Sequence, residues 1–204
     1  MPRIDDYIAA KRLAVKKLAG LSLARIGQIS GLGLCGADTL RIPFLNRIYR
    51  VAYPEFDFVD EAEADKDVPL QEQVLILHYL MAEGAPKPAG KWVAYREIPG
   101  AQFYFSAFAK RAIEPLKNTF GRNPSSLQQA ARQLEGVAVK TGDAGFEFQI
   151  FPKVPLQLIL WVGDDEFPSE ANILFDETIR EFLSPEDVAW MAGMLVYRLI
   201  ALSR

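Results

Sequence analysis

Two apolar runs on either side of a short acidic turn constrain this chain more than any other feature. From Phe146 to Asp187 it reads FEFQIFPKVPLQLILWVGDDEFPSEANILFDETIREFLSPED, with Leu156–Val162 and Ala171–Phe175 flanking Asp164, Asp165 and Glu166. The segment before them alternates Phe146, Phe148 and Ile150 with Glu147 and Gln149, the period of a strand wet on one face. Leu156–Val162 is more continuously apolar, interrupted only by Gln157, which puts it nearer the centre of a sheet. The stretch closes on Ser184-Pro185-Glu186-Asp187, a strong helix start: a capping serine, proline at the first position, and acids against the positive helix end. A helix over Ser184–Leu202 follows, with Val188, Met191, Leu195, Leu199 and Leu202 on one side.

Upstream, Asp5–Ala19 reads as a helix with Ile8, Leu13, Val15 and Leu18 as its apolar surface. Lys11, Arg12, Lys16 and Lys17 give it a basic side, solvated or turned to a membrane surface or partner. A second helix is expected from Ser22 to Ser30, capped by Ser22 and ended by Gly31 in the left-handed region. Leu40–Leu45 and Ile48–Tyr53 flank Asn46-Arg47 as a β-hairpin, and Phe56–Val59 extends that sheet. The acidic run Asp60–Asp67 reads as a solvated loop, and Pro69 as the start of a helix through Met81. Lys91–Ile98 has strand composition, a helix runs from Gln102 to about Ile113, Pro115 kinks it or begins a new turn that ends at Gly121, and Ser125–Leu134 is a short helix. The sum is an α+β fold, a mainly antiparallel sheet of five to seven strands covered by helices. Residues 1–36 are expected as a helical segment packed on a single domain of residues 37–204.

Composition removes several function classes. The chain has one cysteine, Cys35, and one histidine, His78, so it holds no internal disulfide, no iron–sulfur cluster of several thiolates and no multi-histidine metal site of its own. A formal charge of −3 gives no general attraction to nucleic acid. No apolar run approaches the ~20 residues of a membrane span, so the expectation is a soluble, cytoplasmic protein. Gly31, Gly33 and Gly36 match a dinucleotide-loop spacing, but a helix precedes them and a strand follows, the reverse of the required order. Trp92, Tyr95, Phe103, Tyr104 and Phe105 read as core and sheet surface rather than a base-stacking platform.

The candidate site residues are therefore few. Asp176 and Asp187 stand where helix caps are expected, and Gly163-Asp164-Asp165 is ordinary turn chemistry. Trp161, Asp165 and Glu166 are candidates for the rim of a ligand pocket. His78 is a candidate axial ligand to a haem or corrinoid metal, since one imidazole suffices. No catalytic residue, protein metal site or cofactor is assigned.

The segments VPLQEQVLILHYL, GKWVAYREIPG with the FYFSAF after it, and FPKVPLQLILWVGDDEFPSEANILFD…FLSPED resemble the family termed domain of unknown function 3786, over roughly Leu40 to Leu202. The resemblance implies a soluble protein of anaerobic bacteria and archaea. Some relatives carry a four-cysteine iron–sulfur segment, among genes of anaerobic one-carbon or corrinoid metabolism; this chain has no such segment. The functional expectation is a non-catalytic protein that binds a small molecule, cofactor or protein partner. The alternative is an enzyme that uses the turn Asp164–Glu166, with or without a metal.

Overall fold

The computed structural model describes residues 4–204, so the first three positions of the expected N-terminal segment lie outside the described residues. The fold is α+β, and the chain divides into two compact units. One takes the chain up to Lys87 with Phe151–Lys153 and Glu181–Leu183; the other takes Pro88–Ile150, Val154–Arg180 and Ser184–Arg204.

In the first unit, helices α1 (Ile4–Leu18) and α2 (Leu23–Ser30) precede strands β1 (Thr39–Phe44), β2 (Arg47–Ala52) and β3 (Asp57–Asp60), and then helix α3 (Leu70–Leu80). The strands pair in the order β1-β2-β3, antiparallel, with Leu40 opposite Val51 and Ile42 opposite Tyr49. Leu40, Ile42 and Phe44 alternate inward, as the period-2 pattern requires. The hairpin turn falls one residue earlier than expected: Phe44 pairs with Arg47, so the turn is Leu45-Asn46, and Leu45 takes the left-handed conformation at φ 53°. The helix signals before it hold, because the Ser22 side chain accepts the Arg25 N–H and Gly31 ends α2 at φ 74°.

α1 buries Ala14 and Leu18, while Leu13 is 70% exposed. Tyr7, Ala10, Ala14 and Leu18 share one face at helical spacing, and small alanines there let α1 lie close to α3. Of the apolar residues expected to pack, Leu18 is buried and Val15 half-buried, while Ile8 and Leu13 are exposed and the alanines take their place. α3 is buried on most sides from Val74 to Leu80, with His78 the half-buried exception. Tyr79 stacks on Phe151 with ring centroids 4.2 Å apart and 5° between planes, and Phe44 and Phe182 lie against the same pair. The Tyr79 hydroxyl donates to the Ser30 carbonyl at the end of α2. Lys153 Nζ donates to the carbonyls of Ile29 at 2.7 Å and Gln28 at 3.3 Å, so the final turn of α2 is closed by side chains. The acidic run is less solvated than expected: Asp60 is buried and accepts from Arg47 at 2.6 Å, and Glu61 pairs with Arg41 at 2.9 Å.

The second unit holds β4 (Trp92–Ala94), α4 (Phe105–Phe108), α5 (Glu114–Phe120), α6 (Pro124–Gln133), β5 (Val137–Val139), β6 (Ala144–Phe151, its last residue counting with the first unit), β7 (Val154–Trp161), β8 (Glu170–Asp176) and α7 (Pro185–Leu202). Its five-stranded antiparallel sheet has the order β4-β8-β7-β6-β5, so the most apolar run does form the central strand. α7 begins as its sequence predicts. Ser184 Oγ accepts the Asp187 N–H at 3.2 Å, and the Asp187 carboxylate accepts the Ser184 N–H at 3.3 Å.

Two expected elements are interrupted. The strand at Lys91–Ile98 stops after Ala94, because Glu97 accepts the Ala94 N–H at 2.6 Å and closes a 3₁₀ turn over Tyr95–Glu97. The helix at Gln102–Ile113 is broken into a 3₁₀ turn, α4 and a π-helical turn at Ala109–Ile113. Pro115 has no N–H for the Arg111 carbonyl and crowds it, and the helix widens at that point. α7 approaches this turn at Gly193, where an added Cβ would lie 3.3 Å from Arg111 Cβ.

Candidate functional site

The register of β4 on β8 sets Trp92 opposite Asp176 and Val93 opposite Phe175, bringing two segments over eighty residues apart side by side. Asp176 is buried, and its carboxylate accepts four hydrogen bonds: from the N–H groups of Ala89 at 3.1 Å, Gly90 at 2.7 Å and Thr178 at 3.0 Å, and from the Thr178 hydroxyl at 2.7 Å. Burial alone would push its pKa up. The Thr178 hydroxyl and the three backbone donors outweigh that and hold the carboxyl below the ordinary aspartate value. Asp176 thus caps the turn Glu177–Glu181, as its sequence context predicts, and also pins the chain that enters β4.

One residue before Trp92 and one after Asp176, Lys91 and Glu177 meet twice. The Glu177 N–H donates to the Lys91 carbonyl at 2.9 Å, and Lys91 Nζ lies 2.7 Å from Glu177 Oε2. Above this pair lies a niche of about 260 Å³. Ile98 and Ile179 form its buried floor, Trp92 a half-buried wall, and Glu97 and Arg180 share the exposed rim with Lys91. Its framework is stiff: Glu97 Oε2 is tied to the Ala94 N–H, and Tyr95 anchors the turn below. Tyr95 stacks on Phe108 at 4.1 Å and donates its hydroxyl to the Pro185 carbonyl at 2.7 Å. The site presents two cations and two anions around an indole, over an apolar base.

The residues singled out from the sequence lie elsewhere. Trp161 ends β7 and is 39% exposed, and Asp165 and Glu166 are exposed in the connection to β8. Their neighbour Asp164 is committed to the turn itself, accepting the N–H groups of Glu166 at 2.8 Å and Phe167 at 2.7 Å. Those two backbone bonds, the Phe167 one foremost, hold its carboxyl below the usual range. Structure therefore keeps Trp161, Asp165 and Glu166 on one connection, while His78 belongs to the first unit, half-buried and engaged in an interaction of its own. Among the described residues no group of three or more His, Cys, Asp or Glu side chains is placed to hold a metal ion. Cys35 is an exposed free thiol. Sequence reasoning missed Lys91, Trp92, Glu97 and Arg180 as a group. The available signal was Glu97 three residues past Ala94, which marks a closed turn rather than a continuing strand.

The family model described as Domain of unknown function (DUF3786) matches residues 22–198. The chain belongs to this family. Among curated proteins and among solved structures, nothing matches it. The matched segment contains the niche and every strand described above, and begins after α1. No helix among the described residues is long and apolar enough to cross a membrane.

Proposed function

We propose that the protein is a non-catalytic binding or accessory protein that holds a small polar molecule in the niche beside β4. The observation that carries this reading is the niche's composition: Lys91 and Arg180 balance Glu97 and Glu177 around Trp92. Charges of both signs beside an aromatic face suit a zwitterion, whose ammonium and carboxylate each find an opposite partner while its carbon skeleton packs on the indole. A volume of about 260 Å³ is below the ~300–1,000 Å³ of sites for drug-sized ligands, so the guest is small. The anchored turn and the paired Lys91 and Glu177 lower the cost of ordering the site on binding.

The test is an amide chemical-shift titration of the full chain with glycine, aspartate and glycine betaine at millimolar concentrations. We expect at least one to shift the amides of residues 91–99 and 177–180 with saturation, and Trp92→Ala to remove the response. Flat spectra for all three would sink the reading. The family resemblance adds a role in anaerobic one-carbon or corrinoid metabolism to the proposal, with His78 as the axial ligand to be tested. A visible spectrum of protein purified without oxygen checks that part, a Soret or corrinoid band being the supporting result. The second reading, an enzyme using the turn Asp164–Glu166 with or without a metal, is probed by replacing Asp165 and Glu166 with alanine. Unchanged metal binding and cell phenotype are expected, and loss of either would favour the enzyme.

A further inference from the structure

The first unit carries a second concave site, independent of the niche. An open groove of about 550 Å³ runs along α1, lined by Ile8, Lys11, Arg12, Val15, Lys16 and Leu70, with Glu55 at its edge. We propose that this groove docks an acidic peptide segment of a partner protein, anchored by an apolar side chain.

Helical spacing creates the surface. Ile4, Ile8, Lys11 and Val15 follow one another along one line of α1, and Arg12 and Lys16 lie on the neighbouring line. Ile4 is 68% and Ile8 38% exposed, so this apolar ridge is left open beside three cations. Lys11 Nζ also sits 5.9 Å from the centre of the Phe58 ring, a weak cation–π contact. Among the described residues neither Arg12 nor Lys16 is paired with a carboxylate. The whole chain carries −3, yet three cations face one anion, Glu55, in this groove. The local field therefore opposes the global one and selects a negatively charged partner.

The charge at the groove's edge chooses among negative partners. Glu55 at the edge repels anionic headgroups but can accept from a peptide N–H. The groove also lies largely outside the family-matched segment, since α1 ends before residue 22.

The experiment uses the full chain and a fluorescein-labelled amphipathic peptide of Leu-Leu-Glu-Glu repeats, followed by fluorescence anisotropy. A matched peptide with lysine in place of glutamate and vesicles of phosphatidylserine and phosphatidylcholine complete the set. The glutamate peptide is expected to bind, to weaken as salt is raised, and to lose about tenfold or more in affinity in Lys11→Glu/Lys16→Glu. Arg12→Glu, which leaves the Lys11–Phe58 contact in place, should weaken it in the same direction, and Lys140→Glu in the second unit should not. Circular dichroism confirms that each variant keeps its helices. Absence of binding, equal binding of the lysine peptide, an unaffected double variant, or a response to the vesicles alone would each overturn the proposal.

Discussion

Each unit is built on a buried tyrosine stacked face to face on a phenylalanine, and the two hydroxyls end on carbonyls of different kinds. Tyr79 lies on Phe151 at 4.2 Å and Tyr95 on Phe108 at 4.1 Å, with planes within 5° in both pairs. Burial pushes both phenols well above the ordinary tyrosine pKa, so both remain hydrogen-bond donors at neutral pH. Tyr79 donates to Ser30, whose carbonyl closes α2 and has no helical N–H left to accept from. Tyr95 donates to Pro185 in the first turn of α7, where the N–H of Ala189 already serves the same carbonyl in the regular helical pattern. The same side-chain device is thus a requirement in one unit and a supplement in the other.

The strongest way to break this comparison is to remove the stacked rings. Phe151→Ala and Phe108→Ala should each cost about 3–5 kcal/mol in denaturant unfolding. Hydrogen exchange should show protection lost first in the first unit for the former and in the second unit for the latter. If each variant deprotects both units alike, the two do not open separately. Next in size, Asp176→Asn replaces an oxygen acceptor with an amide that cannot accept from the backbone, and should cost about 1.5–3 kcal/mol at neutral pH. Because the folded carboxyl titrates below its unfolded value, that stability is present above about pH 4 and lost as pH falls through the depressed pKa. The gap between wild type and variant should therefore close in acid, and a gap independent of pH would show that the charge plays no part.

The hydroxyls themselves give the sharper test. Tyr79→Phe strands the Ser30 carbonyl and should cost about 1–3 kcal/mol, whereas Tyr95→Phe should cost about 0.5–1.5 kcal/mol. Equal losses would remove the distinction drawn above. The smallest expected effect concerns the helix starts. Ser22 accepts a single N–H at 3.3 Å, whereas Ser184 exchanges bonds with Asp187, so Ser184→Ala should exceed Ser22→Ala, both near ~1 kcal/mol by thermal unfolding.

Features written in local chemistry were legible without coordinates. Ser22, Gly31, Ser184 and Asp176 act as the caps and turns their neighbours imply, and Leu156–Val162 falls at the centre of its sheet because it is apolar on both faces. Other features depend on partners far along the chain. β5 is three residues long and largely exposed, so it carries no apolar period to detect. The niche exists only because Trp92 is in register with Asp176, and no spacing within either segment announces that pairing. The packed face of α1 was hidden for a different reason: Ala10 and Ala14 are valuable for being small, which a search for large apolar residues passes over.

The first unit draws its residues from three separate stretches of chain, and this has a consequence for its synthesis. The chain up to Lys87 leaves the ribosome without Phe151, on which Tyr79 stacks, and without Phe182, which lies against the same ring. At ~5–20 residues per second, Pro88 to Leu183 take roughly 5–20 s to follow. Tyr79 therefore gains the two rings it packs against only after about half of the chain has followed it, and the aromatic cluster of this unit is completed late in synthesis.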